Sequence, residues 1–163
     1  MASETKIRVL FVCTGNICRS PTAEGVFRAL VAKQGLSGRI EADSAGTGDW
    51  HVGEPPDERS QEAALKRGID LSAIRGRQVG RDDFATFDLV VAMDRSHVRA
   101  LQRLAPAAKD KVRLFLDYAP GEQGRDVPDP YFGGGSGFDR VLDMIEAGCA
   151  GLLAELCADS APK

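Results

Sequence analysis

The chain has 163 residues, 43% of them apolar and 28% charged, enough for a full core and for one domain spanning 1–163. Its 21 basic and 24 acidic side chains leave a net charge of −3, which argues against nucleic acid or a membrane surface as partner. Met1–Thr5 is short and mostly polar, and no apolar run approaches the roughly 18 residues of a spanning helix, so a soluble, cytoplasmic protein is expected.

Ile7-Arg8-Val9-Leu10-Phe11-Val12 is β-rich and almost uniformly apolar, the pattern of a central parallel strand covered on both faces. It runs into Cys13-Thr14-Gly15-Asn16-Ile17-Cys18-Arg19-Ser20 and then Pro21-Thr22-Ala23-Glu24. A helix entered through Ser20 and Pro21 places Ala23, Val26, Phe27, Leu30 and Val31 on one stripe, with Gly35 as its stop signal. Ile40 to Ser44 reads as a second strand, and the glycine-rich stretch from Ala45 to Gly53 as loop. A helix through Glu62 to Arg67 stops at Gly68. Asp88 to Met93 is the third strand, followed by a helix marked by Val98, Leu101 and Leu104. Val112 to Leu116 is the fourth. From Asp117 to Gly137 the chain is rich in Pro, Gly and Asp, and a loop of that length is usually functional or disordered. The last helix carries Phe138, Val141, Leu142, Ile145, Cys149, Leu152, Leu153 and Leu156 on its docking face, giving a core of about 7–157.

Strands alternating with helices imply an α/β fold: a four-stranded, parallel, doubly wound sheet with helices on both faces. Ligands of such sheets bind beyond the carboxyl ends of the strands. The loops after Ser44, Met93 and Leu116 should therefore open on the same edge as the Cys13 loop, bringing Trp50 and the Asp129 region to Cys13.

A strand, a short polar loop and a helix N-terminus form an anion cradle, with the N–H groups from Cys13 to Arg19 turned toward a tetrahedral oxyanion. Cys13 sits at one end as a nucleophile, and Arg19, six residues on, supplies a planar fork for two phosphoryl oxygens. A thiol attacks as its thiolate, and the inward N–H groups, the helix terminus, Arg19 and the hydroxyl of Ser20 all favour that anion. Departure of an alkoxide or phenoxide calls for an acid. Asp129, fixed between Pro128 and Pro130, is the first candidate; Asp126 is the alternative, and Asp117 stands nearer the strand end. The other cysteines, Cys18, Cys149 and Cys157, read as free thiols rather than a disulfide framework. Metal ligation is not expected: Cys13 and Cys18 are badly spaced, and His51 and His97 lack the usual pairings. No glycine-lysine-serine/threonine loop is present, and the Gly133–Gly137 run follows no strand, so neither nucleotide fingerprint is supported.

The stretch Val12 to Pro21 together with Asp129-Pro130-Tyr131 closely resembles the low-molecular-weight protein tyrosine phosphatases. Asp43-Ser44-Ala45-Gly46, Asp49-Trp50, Phe84 to Asp88 and Met93-Asp94 add to the likeness, which runs from about Ile7 to Leu156. The resemblance implies hydrolysis of phosphotyrosine in protein substrates without metal or other cofactor, by a monomer. Cys13 would form a phosphocysteine, Arg19 would clamp the phosphoryl group, and Asp129 would protonate the phenol and then deprotonate water. It also implies that Asn16, Ser20 and Ser44 brace the loop, that Ile17, Trp50 and Tyr131 recognise the substrate ring, and that Cys18 serves as a redox partner of Cys13. Two departures stand out. Many members carry a histidine near Ile74 that bonds the loop asparagine, so Asn16 needs another partner here, and Phe132 stands where a second tyrosine is common. Arsenate reduction on the same scaffold would need further cysteines. Phosphoarginine hydrolysis is disfavoured by Ile17 and Tyr131, and a silent phospholigand or redox module by the joint presence of Cys13, Arg19 and Asp129.

Overall fold

The computed structural model describes residues 6–130 and 136–160, with no side-chain description for 136, 159 and 160; Tyr131 and Phe132 lie outside the described residues. In chain order the elements are β1 (Ile7–Cys13), α1 (Arg19–Lys33), β2 (Ile40–Gly46), α2 (Glu58–Leu65), α3 (Asp83–Thr86), β3 (Leu89–Ala92), α4 (Arg95–Leu104), β4 (Val112–Leu114) and α5 (Ser136–Ser160). Two 3₁₀ segments, Pro106–Lys111 and Phe115–Tyr118, flank β4.

The four strands pair in parallel in the order β2-β1-β3-β4. The chain steps from β1 to one side to form β2, then returns to β3 on the other side. This reversal puts the crevice of the sheet at the carboxyl end of β1, where Cys13 pairs with Gly46 of β2. The alternation of β1 explains its unbroken apolar run. Val9, Phe11 and Cys13 join the core beneath α1 and α5, while Leu10 and Val12 join the core with Phe84, Leu101 and Val112. Phe11 anchors the first core by edge contacts to Phe27 and Phe115 at 5.5 and 6.0 Å.

Several boundaries differ from the sequence reading; the second strand runs on through Ala45 and Gly46 rather than yielding to loop after Ser44, because both residues pair with β1. The fourth strand ends at Leu114, and Phe115–Tyr118 turns as 3₁₀ helix. Phe115 is driven under α5, where Gly148 makes room: a Cβ there would stand 2.3 Å from the Phe115 ring. The second helix begins a turn early, at Glu58, because Asp57 accepts the Arg59 N–H as its cap, and it ends at Leu65 ahead of Gly68, whose φ is +81°. The single turn α3 was not anticipated; too short for a periodic signal, it rests on Phe84 in the second core.

Candidate active site

The loop after β1 is pinned from outside by its carbonyls. Those of Cys13, Thr14, Ile17 and Cys18 accept the N–H groups of Thr47, Gly48, Asp57 and Thr22 at 2.8–3.2 Å. Each planar peptide points its N–H opposite its C=O, so the N–H groups of Thr14, Gly15, Cys18 and Arg19 face the interior of the loop. Cys18 holds the cap position of α1 without any side-chain cap bond, which leaves the helix terminus open to an anion. Gly46 permits the close fit, since a Cβ there would meet the Thr14 carbonyl at 2.7 Å.

Asn16 holds the loop in its shape from a left-handed conformation, φ +58°, that few non-glycine residues adopt. Its amide donates to Ser20 Oγ at 2.8 Å and its carbonyl accepts the Arg77 N–H at 3.0 Å. The main chain of Arg77 is thus the partner that Asn16 finds where the sequence offers no histidine near Ile74. The Arg77 guanidinium is anchored in turn by Asp43 and Asp83. Ser20 Oγ lies 3.0 Å from Cys13 Sγ, within reach to donate to the sulfur. Ser44 is one step removed: its hydroxyl donates to Glu24 Oε1 on α1 at 2.7 Å.

Arg19 is only 3% exposed and is aimed by groups distant in sequence. Its Nη1 donates to Asp94 Oδ2 at 2.9 Å and to the Val127 carbonyl at 3.0 Å, while Nη2 lies 3.6 Å from Asp129 Oδ2. Asp94 also caps α4, accepting the N–H groups of Ser96 and His97. Burial opposes its charge, but hydrogen bonds from Ser96 and Arg19 hold its carboxyl down at about 2. His97 answers by accepting the Asp94 N–H on Nδ1, with Nε2 2.7 Å from Thr14 Oγ1. Burial pushes His97 down to about 4 against the pull of the Asp94 carboxylate, so the ring is neutral at physiological pH.

These groups open into a cavity of about 200 Å³ lined by Cys13, Thr14, Gly15, Ile17 and Arg19 of the loop and by Trp50, His51 and Asp129 of other segments. Cys18 also borders it; burial pushes its thiol up to about 12, against a hydrogen bond with Ser60. Asp129 alone of the three candidate acids lines the cavity. Asp126 accepts from the main chain and guanidinium of Arg95, and Asp117 from the Gly124 N–H. Tyr131 falls outside the described residues. Asp94, His97 and His51 were missed as site residues. An aspartate before a helix reads as a cap, which Asp94 also is, and nothing local marks the histidines. The arrangement can hold a tetrahedral dianion over a sulfur nucleophile and supply an acid beside it.

The sequence matches the profile of the low molecular weight phosphotyrosine protein phosphatases over residues 8–161. A low molecular weight protein-tyrosine-phosphatase of Streptomyces coelicolor is 54% identical over 151 residues, covering 90% of this chain and 92% of its own. The human low molecular weight phosphotyrosine protein phosphatase is 42% identical over 156 residues, covering 94% and 98%. The crystal structure of YfkJ from Bacillus subtilis superposes with a TM-score of 0.91 at 43% identity, over 96% of this chain and 98% of that one. A match across nearly the whole chain, on a sheet whose crevice holds the cysteine loop, leaves one conclusion: this chain belongs to the low molecular weight phosphotyrosine protein phosphatase family.

Proposed function

We propose that the chain hydrolyses phosphotyrosine in protein substrates through a phosphocysteine formed on Cys13. The phosphoryl group sits in the loop from Cys13 to Arg19, and the substrate ring lies along Ile17 and Trp50. The Cys13 thiolate attacks phosphorus; the P–S bond forms as the bond to the phenolic oxygen breaks, and Asp129 gives that oxygen its proton. Asp129 then takes a proton from water, whose oxygen attacks phosphorus and expels the thiolate, releasing inorganic phosphate. Charge on the equatorial oxygens is met by the Arg19 fork and the inward N–H groups, already fixed before substrate arrives. Every proton comes from a side chain or from water.

One observation carries the reading: the sulfur of Cys13 lies under an inward-facing N–H loop, with the pinned guanidinium of Arg19 and the carboxylate of Asp129 3.6 Å apart beside it. Hydrolysis of p-nitrophenyl phosphate should persist in EDTA and vanish in Cys13→Ser. Activity that survives the substitution, or that EDTA removes, overturns the covalent mechanism. Steady-state rates on phosphotyrosine, phosphoserine and phosphoarginine peptides should favour the first.

Cys18 borders the same cavity and serves in this reading as a resolving thiol: peroxide converts Cys13 to a sulfenic acid, and Cys18, passing to the sulfenic oxygen the proton that burial holds on its sulfur, forms a disulfide as water leaves. Thiol rescue after peroxide should then succeed in the native protein and fail in Cys18→Ser; equal recovery overturns the role. The chain is read as a cytoplasmic monomer, in keeping with its modest charge, and no helix among the described residues is long and apolar enough to cross a membrane.

A further inference from the structure

We propose that the Thr14 hydroxyl is an additional donor to the bound phosphoryl group and that His97 is the positioning residue that aims it. The proposal rests on the phosphatase reading above and adds to it one group that touches substrate and one that acts through it.

His97 is 2% exposed, yet both ring nitrogens are engaged. Nδ1 lies 3.2 Å from the main-chain nitrogen of Asp94. A main-chain N–H can only donate, so Nδ1 is the bare nitrogen and the ring proton resides on Nε2. The opposite tautomer would set two hydrogens against each other, and Asp94 Oδ1, 3.3 Å from Nδ1, stands in charge contact with the ring without a hydrogen bond to it. Nε2–H therefore donates to Thr14 Oγ1 across 2.7 Å. A hydroxyl has one hydrogen and two lone pairs; with a lone pair taken by His97, its hydrogen is left to seek a different acceptor. Thr14 is an exposed residue that lines the same cavity as Cys13, and in this proposal its hydroxyl hydrogen turns to what fills that cavity. The oxygens of a phosphoryl dianion are the strongest acceptors that will enter. The chain of donors runs from the Asp94 main chain through His97 and Thr14 to the substrate. The same aspartate aims Arg19 through its carboxylate, so both donors are referenced to the N-terminus of α4.

Turnover of p-nitrophenyl phosphate and competitive inhibition by orthovanadate, measured for Thr14→Val, Thr14→Ser, His97→Leu and the Thr14→Val/His97→Leu double variant, test the proposal. Thr14→Val keeps the shape and removes the donor; kcat/KM should fall about tenfold and the vanadate inhibition constant should rise by a similar factor, as expected for a hydrogen bond to a charged group. Thr14→Ser should recover most of the loss. His97→Leu should lower kcat/KM comparably, and the double variant should be little worse than either single one. His97→Gln replaces His97→Leu in the cycle if the latter does not unfold cooperatively on heating. Thr14→Val within threefold of the native protein in both quantities overturns the donor. So does Thr14→Ser matching Thr14→Val, since the methyl group would then be what matters. Fully additive losses overturn the role of His97. Cys13→Ser in the same assay reports separately on the underlying reading: activity there rejects the mechanism, whatever Thr14 does.

Discussion

The loop from Cys13 to Arg19 and the wall formed by Trp50, His51 and Asp129 enclose one cavity, but they are built differently. The loop is largely buried and fixed by bonds from Thr47 and Gly48 just past β2, from the Asp57 cap of α2, from α1 and from the Arg77 main chain; Asn16, Arg19 and Ser20 are each no more than 3% exposed. The wall belongs to connecting segments, and Trp50 is 67% exposed. The difference separates two tasks. A phosphoryl group has one shape and charge, and donors fixed in advance need no rearrangement to meet it. A leaving group varies, and side chains on loops can be exchanged without disturbing the cradle.

Substitutions on either side should divide accordingly. The largest effect below that of Cys13 itself should come from Asp129→Asn, which removes the acid and should lower kcat on phosphotyrosine by about 10²–10⁴-fold. The loss should shrink for aryl phosphates with very acidic phenols; an equal loss for every leaving group would remove Asp129 from the protonation step. Next comes Arg19→Lys, which keeps the charge but loses the fork and the two bonds from Nη1. It should lower kcat/KM by about 10²–10³-fold for all substrates alike and weaken vanadate inhibition. If the loss depended on the leaving group instead, loop and wall would not be separable.

Trp50→Ala should cost only about 2–10-fold, in KM for aromatic phosphates, from lost ring contact worth ~0.5–1.5 kcal/mol. Small alkyl phosphates should be unaffected, and an equal loss on both would show that Trp50 shapes the cradle. The smallest effect at working pH concerns stability. His97 ionises at about 4 in the folded chain and near 6.5 when unfolded, so between these values only the unfolded chain takes up the proton. Its contribution is full above pH 6.5 and is lost as pH falls toward 4, to the extent of roughly 3 kcal/mol at 1.36 kcal/mol per unit. Denaturant titrations across pH 4–7 should reveal this slope, and His97→Gln should flatten it. An unchanged slope would place the acid sensitivity elsewhere.

The sequence by itself determined the cysteine loop and its setting. The apolar run of β1, the six-residue step from Cys13 to Arg19, and Pro21 in the first turn of the helix are local features. Local chain geometry turns such features into a strand, an anion loop and a helix terminus wherever the sheet happens to close. Tertiary structure alone decided what aims the cradle. Arg19 meets Asp94 and Val127 across 75 and 108 residues, and the strand order that brings them together is written in no single segment. The partner of Asn16 is a main-chain N–H, which carries no side-chain signature; Arg77 could not have been named from its type. Phe115 had the composition of a strand residue and became part of a 3₁₀ turn because a glycine 33 positions later in the sequence opened the space for it. Contacts of this kind depend on how distant segments pack and on backbone groups common to every residue, so they emerge only when the chain is folded.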